Sequence, residues 1–360
     1  MELTGARDAS AARRHRASAS TALAAANSLR YGRAVRSLIS KETAVRIIVT
    51  GSLAYDYIMN FPGKFADHIL PDKVHMLTVS FLVDSMKKMR GGTAGNIAYT
   101  LALLGAKTAV VSAAGQDFRE YADFMQGRGI DTRGINLVNN EFTASCFINT
   151  DQANNQIVAF YPGAVVHARD VTLASLGLEK GDWVIISPTD PESMARHTAE
   201  CKKAGVSYIF DPGKQVPRLS KEQILAGLDG CAAFVGNDYE FGMMAKATGL
   251  TEQALFDMAP ITVMTRGAEG SRILIKGKPT IEIPVAAPSA VVDPTGAGDA
   301  YLGALAYGFA KGLPHETTGR IAALAATYAI ELKGCQEHSY SIDDFARRYQ
   351  AAFGEKLSLG

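Results

Sequence analysis

The chain has 360 residues, 47% of them hydrophobic, which is ample for a large buried core. Its 37 basic and 36 acidic residues leave a net charge of +1, so nothing in the balance attracts nucleic acid or an anionic membrane. Four scattered cysteines form no C-x-x-C pair, seven histidines show no metal-ligand spacing, and no apolar run approaches the roughly 18–20 residues that span a bilayer.

Residues 1–43 differ in composition from everything after them. They are rich in Ala, Ser and Arg, with no acidic residue between Asp8 and Glu42. That suits an organellar transit peptide or a disordered tail, and this extension is left out of the fold. Residues 44–360 read as one α/β domain. Val45–Gly51 is a β-branched run closed by glycine, a buried first strand that delivers Ser52 and Asp56 past its carboxyl end. Phe61–Asp84, with β-like runs such as Leu77–Leu82, reads as part of a small accessory sheet. Arg90-Gly91-Gly92-Thr93-Ala94-Gly95-Asn96 leads into a helix over 97–104, followed by a strand at 108–113 and a helix at 118–128. Thr143–Asn149 and Gln156–Phe160 read as a hairpin. Strands at 183–187, 207–211, 233–236 and 261–265 then alternate with helices at 192–204, 221–228, 239–248 and 252–258. Such alternation predicts a mostly parallel sheet with helices on both faces. Strands at 271–276 and 280–285 and helices at 300–311, 317–332 and 341–353 complete the chain.

The stretch Val292-Asp293-Pro294-Thr295-Gly296-Ala297-Gly298-Asp299 reads as a strand end, a glycine turn and the first turn of a buried helix. A helix start leaves N–H groups unpaired and carries partial positive charge, so it receives an anion, most often a phosphoryl group. Asp299 inside such a site repels phosphate, which has a purpose if it takes a proton from a nucleophile beside that phosphate. The plainer reading is a helix-capping Asp. The Walker A pattern is absent, because Gly213-Lys214 is followed by Gln215.

The octapeptide matches the second signature of the ribokinase (PfkB) family of sugar and nucleoside kinases, and the chain is identified as resembling that family from about Val45 to its C-terminus. The resemblance implies a ribokinase-like fold whose small β lid comes from about 55–90 and 141–163. It implies ATP and Mg²⁺ as cofactors and Asp299 as base, with the N–H groups of Gly296, Ala297 and Gly298 holding the transferred phosphoryl group. Gly91, Gly92 and Asn96 resemble the first family signature and, with Ser52 and Asp56, would hold a ribose. Asn237 and Glu240 match the N-x-x-E motif that orients hydrated Mg²⁺ and phosphates, and Thr265, Gly267 and Gly270 resemble the nucleotide loop. Asp293 and the Thr295 carbonyl, with Gly334, fall where a monovalent cation such as K⁺ often sits, although His338 departs from the small residue usual there.

Further segments, including Phe61–Phe65, Val79–Asp84 and Phe160–Ala164, look like the bacterial adenosine kinases found in mycobacteria. In that group the lid also forms a homodimer interface, and the Ser80 position reaches the partner's pocket. Phe160 matches one of two aromatics that sandwich adenine, but Cys146 stands at the other. The resemblance therefore implies phosphorylation of a nucleoside 5′-hydroxyl, adenosine to AMP, in the cytoplasm (or an organelle, if the first forty residues are a transit peptide). The alternative acceptor is ribose, fructose or a sugar phosphate.

Overall fold

The computed structural model describes residues 45–76 and 78–359, and the expectations for residues 1–43 and for Leu77 lie outside them. Strand β1 (Arg46–Thr50) is buried on both sides, with Ile47, Ile48 and Val49 at most 1% exposed. Alternation sends Ile47 and Val49 into one apolar layer and Ile48 into the other, so the strand needs helices above and below it.

Two strands, β2 (Ala54–Asn60) and β3 (Ser85–Gly91), leave for a second sheet before β4 (Lys107–Gly115) and β5 (Asp131–Val138) return to the first. Strands β6 (Ala144–Thr150) and β7 (Gln156–Tyr161) again belong to the second sheet. From there β8 (Trp183–Ile186), β9 (Ser207–Phe210), β10 (Ala233–Asn237), β11 (Ile261–Thr265), β12 (Ser271–Ile275) and β13 (Ile281–Ile283) continue the first. Among the described residues the large sheet runs β5-β4-β1-β8-β9-β10-β11-β12-β13, with every pairing parallel except the last two, because β12 runs against its neighbours. The small sheet runs β3-β2-β6-β7.

One apolar layer is covered by α1 (Thr93–Leu103), α2 (Arg119–Gln126), α7 (Ala297–Ala310), α8 (His315–Ile330) and α9 (Ile342–Phe353). The other lies under α3 (Pro191–Ala204), α4 (Lys221–Leu228), α5 (Asp238–Thr248) and α6 (Glu252–Phe256). Strand order reverses between β1 and β8, the switch point at which open α/β sheets leave a crevice for ligands.

The expected architecture holds, with four local corrections. The run 78–82 is irregular rather than β. Phe81 folds down onto Phe61 and Phe65, at 5.1 and 4.8 Å between ring centroids, so an aromatic cluster fixes the segment instead of a ladder. The accessory strands lie on either side of that segment, as β2 and β3. Helix α1 begins at Thr93, not 97, because Ser52 caps it from outside the helix: Ser52 O accepts Ala94 N–H at 3.0 Å and Ser52 Oγ accepts Thr93 N–H at 3.2 Å. Edge strand β5 was not expected; its Asp-Thr-Arg-Gly start hides the alternation, and it pairs β4 across a register shift. The Val292-Asp293 segment is no strand end; both N–H groups donate to Ile330 O, at 2.8 and 3.1 Å, docking it on the end of α8.

Candidate active site

Gly296 ends the loop before α7 with φ of 81°, a left-handed conformation that glycine adopts at little cost. The turn aims the first N–H groups of α7 at one point. Among the described residues Gly296 and Gly298 N–H have no partner, whereas Ala297 N–H makes a long 3.3 Å bond to Pro294 O. Two of the three expected amides are therefore open and the third is weakly held.

Asp299 sits in the same first turn, half-buried, and its Oδ2 accepts a 2.7 Å bond from Asn96 Nδ2. Burial pushes its carboxyl up to about 6, against the pull of the Asn96 bond and of Lys214, with Glu240 raising it further. A carboxylate near 6 is still ionised at neutral pH yet far more basic than a solvated Asp. Burial also raises Asp56 and Glu240, and Asp211 stands well above the usual range through burial and the charges of Glu240 and Asp299. Lys214, exposed beside them, lowers Asp56, Glu240 and Asp299. A general base at Asp299 would be active only when ionised, so activity would rise with pH through the folded-state value. The acid limb of kcat/KM is expected near pH 6, and a profile flat down to pH 4.5 would contradict this. Lys214→Met should move that limb up by about half a pH unit, because a cation that favours the charged form is lost.

On the small sheet Asp56 pairs directly with Met89 and Cys146, and Cys146 with Phe160. Directly opposed residues share a face, so Met89, Asp56, Cys146 and Phe160 form one row. Met89 Cε lies against Gly334, and Asp56 feels the charges of Lys214 and Asp293, which turns this row toward the crevice. The opposite face carries Phe147 stacked on Tyr57 at 4.8 Å. Gly91 leaves room for the Asp56 carboxyl, which would lie 2.7 Å from a Cβ there. Gly92 has φ of 84°, and a Cβ on it would meet Ser52 O at 2.5 Å, so only glycine lets α1 start against the β1–β2 connection.

Asn237 and Glu240 close a reciprocal cap on α5: Asn237 Oδ1 accepts Glu240 N–H at 2.8 Å and Glu240 Oε2 accepts Asn237 N–H at 2.9 Å. Asn237, Thr265, Gly267, Gly270, Ala297 and Gly298 line one cavity of about 480 Å³, whose far wall is apolar, with Val285, Pro288, Ala326 and Ile330. Asp293 Oδ1 accepts Thr295 N–H at 2.9 Å and Oδ2 accepts Gly334 N–H at 3.2 Å, which brings together the residues expected around a cation. Among the described residues no three His, Cys, Asp or Glu side chains are placed to cage a metal ion. His338 is buried with neither ring nitrogen bonded, and burial lowers it to about 4, so its ring is neutral and packs edge-on against Tyr99 at 5.2 Å.

Ser80 is exposed on the irregular segment, away from any strand. Ser52 is committed to capping α1, as described above. Asn96 spends one amide N–H on Asp299, and its Oδ1 accepts from Gln336 Nε2 at 2.8 Å.

The model of the pfkB family carbohydrate kinases matches residues 49–342. The chain belongs to that family. It is a kinase, transferring phosphate to a hydroxyl group. It is 30% identical to a nucleoside kinase of Methanothermobacter thermautotrophicus over 311 residues, covering 86% of this chain and 96% of that one. It superposes on the Burkholderia thailandensis nucleoside kinase in complex with inosine with a TM-score of 0.76 and 33% identity, over 86% of this chain and 99% of that one. The Methanocaldococcus jannaschii nucleoside kinase gives 0.74 at 29% identity, over 85% and 98%. The likeness is thus to nucleoside kinases as a class rather than to adenosine kinase in particular. No helix among the described residues of this kinase is long and apolar enough to cross a membrane.

Three residues escaped the sequence. Lys214 lies in a Gly-Lys pair that had served only to exclude a Walker motif. Gln336 and Tyr121 stand 240 and 25 positions from Asn96, with no motif to link them. The only visible signal was the Asp211-Pro212-Gly213-Lys214 turn at the carboxyl end of β9.

Proposed function

We propose that this kinase phosphorylates the 5′-hydroxyl of a purine nucleoside with ATP, with adenosine, to give AMP, or inosine as the acceptor. The observation that carries this reading is the row on the small sheet. A carboxylate able to accept two hydrogen bonds from a vicinal diol lies two strands, about 10 Å, from an exposed aromatic ring, Phe160. That spacing suits a ribose with a base attached, whereas a free sugar would leave Phe160 without a partner. Similarity to nucleoside kinases, one of them in complex with inosine, supports the same reading. Cys146 between the two presents a thiol where a second aromatic face would sharpen purine stacking, which favours tolerance among bases.

In the proposed reaction the 5′-oxygen loses its proton to Asp299 as it attacks the γ-phosphorus in line, and the bond from that phosphorus to the β,γ-bridging oxygen breaks to release ADP. The N–H groups of Gly296 and Gly298, with Ala297 once its weak bond to Pro294 yields, hold the charge gathering on the transferred oxygens. The donor's base would enter the apolar cavity beside Gly267 and Ala326. The carboxylates of Asp56, Glu240 and Asp299, offset in part by Lys214, would repel free polyphosphate, so the donor would need a divalent cation. With no cage of three His, Cys, Asp or Glu side chains among the described residues, Mg²⁺ would be held by phosphate oxygens and by water that Glu240 and Asn237 orient, and it would neutralise charge at the β- and γ-phosphates. A K⁺ ion would sit by Asp293, the Thr295 carbonyl and Gly334.

The small sheet would close over the acceptor as a lid and, through its outer face around Phe147 and Ile157, join a second copy. Sedimentation at micromolar concentration should then give twice the mass of the chain. The reading of function is tested by relative kcat/KM for adenosine, inosine, cytidine, ribose and fructose 6-phosphate. Adenosine or inosine should lead by at least about tenfold; a lead by ribose or fructose 6-phosphate would reject the nucleoside assignment.

A further inference from the structure

Behind Asp299 lies a chain of hydrogen bonds that ends at a main-chain carbonyl. Gly91 O is an acceptor and nothing else, so the Tyr121 hydroxyl donates to it, at 3.0 Å. With its proton spent there, Tyr121 Oη can only accept from Gln336, whose nitrogen approaches at 2.5 Å. Gln336 Nε2 has a second hydrogen, and it faces Asn96 Oδ1 at 2.8 Å. Asn96 must therefore turn its nitrogen to the other side, where it donates to Asp299 Oδ2 at 2.7 Å. Every donor and acceptor follows from the one fixed carbonyl.

We propose that Gln336 is a positioning residue for phosphoryl transfer, locking the Asn96 amide so that its N–H, and never its oxygen, faces the base Asp299. A freely turning Asn96 would spend part of its time presenting Oδ1 to the carboxylate, a repulsive contact that favours the protonated and inactive form of Asp299.

Two independent features agree with this role. Gln336 is 2% exposed, and its Oε1 has no partner among the described residues. Nothing on the oxygen side holds the amide, so its orientation rests on the two N–H bonds. The reversed amide would set Oε1 against Tyr121 Oη, acceptor against acceptor. The second feature is Gly95, the third glycine of the Gly91-Gly92-x-x-Gly95 turn. Its φ is ordinary, yet a Cβ there would overlap the Tyr121 hydroxyl and come within 3.1 Å of Gln336 Nε2. This glycine makes room for the relay rather than for a ligand. The relay also ties Asp299 to Gly91, the residue that leaves space for the Asp56 carboxyl. The two ends of the acceptor site thus share one rigid connection.

The inference rests on Asp299 acting as the base, and the test separates the two. The Asp299 carboxyl is titrated directly by ¹³C NMR on aspartate-labelled protein, its signal assigned by its absence in Asp299→Asn, alongside the pH profile of kcat/KM. In Gln336→Leu and in the near-isosteric Gln336→Glu, both the titration and the acid limb should move up by about one pH unit, a tenfold loss of kcat/KM below the limb with recovery above pH 8. Asn96→Leu should shift them at least as far, and adding Gln336→Leu to it should shift them no further. Gln336→Met replaces the Leu variant if melting shows that the latter is unfolded. An unmoved Asp299 titration in folded Gln336 variants, or a loss of rate equal at every pH, would overturn the positioning role. A shifted titration together with an Asp299→Asn enzyme that still turns over would instead remove Asp299 as base and leave the amide lock standing.

Discussion

Replacing Asp299 by Asn is expected to lower kcat by about 10²–10⁴ while donor affinity is kept, because general-base assistance is lost and the amide turn is not. The exchange is nearly isosteric. An Asn side chain still offers an oxygen to Asn96 Nδ2, so the 2.7 Å contact and the start of α7 survive. The same substitution should not harm stability at neutral pH. Burial holds the folded-state carboxyl at about 6, above its unfolded value of roughly 3.9. The shift therefore stabilises the fold fully only below the lower value, and that contribution is lost as pH rises through the upper one. At pH 7.5 the native protein carries a charge that its surroundings disfavour, and Asn removes it. Thermal melting at pH 7.5 should give a Tm for Asp299→Asn at or above that of the unaltered protein, alongside the collapsed turnover. Near-normal turnover would strip Asp299 of its role, and a Tm lowered by many degrees would make it a structural residue.

Asp56→Ala should act on the other half of the reaction. On the proposed reading, two charge-assisted bonds to a diol, each worth about 1.5–3 kcal/mol, are removed, partly offset by relief of the burial penalty that raises Asp56. The net expectation is a KM for the nucleoside about 10–100-fold higher, with a smaller change in kcat. A 2′,3′-dideoxynucleoside should discriminate little between the two proteins, since it lacks the hydroxyls that Asp56 is proposed to bind. If the unaltered protein bound it as well as the parent nucleoside, the diol contact would be refuted.

The residues legible in the sequence are those whose roles are written in consecutive positions. Gly296 to Asp299 form one turn, so the amides and the proposed base arrive together, and α7 begins directly after Gly296. Asn237 and Glu240 lie one helical turn apart, so their spacing was visible in the sequence, and they close a capping box at the start of α5. The parallel sheet was legible because apolar runs such as Ile47–Val49 need cover on both faces. Pairings that depend on the fold itself were hidden. Gln336 meets Asn96 only because α1 and the loop after α8 converge over the crevice. Helix α1 was expected four residues late because its cap, Ser52, comes from the end of a distant strand. The run 78–82 has strand-like composition, but Phe81 gains more by burying its ring among Phe61, Phe65 and His68 than by extending a ladder.

The row of Asp56, Cys146 and Phe160 was half legible. The substitution of Cys146 for an aromatic was evident, whereas the pairing of all three across neighbouring strands emerges only from the register.

The coupling of amide turn and base on a single hydroxyl is tested most directly by ³¹P NMR of ATP and a purine nucleoside incubated with the protein. One nucleoside 5′-phosphomonoester signal should grow in step with ADP, and it should be nearly absent with Asp299→Asn. Release of inorganic phosphate alone, an ester at the 2′ or 3′ position, or equal ester formation by the two proteins would contradict it.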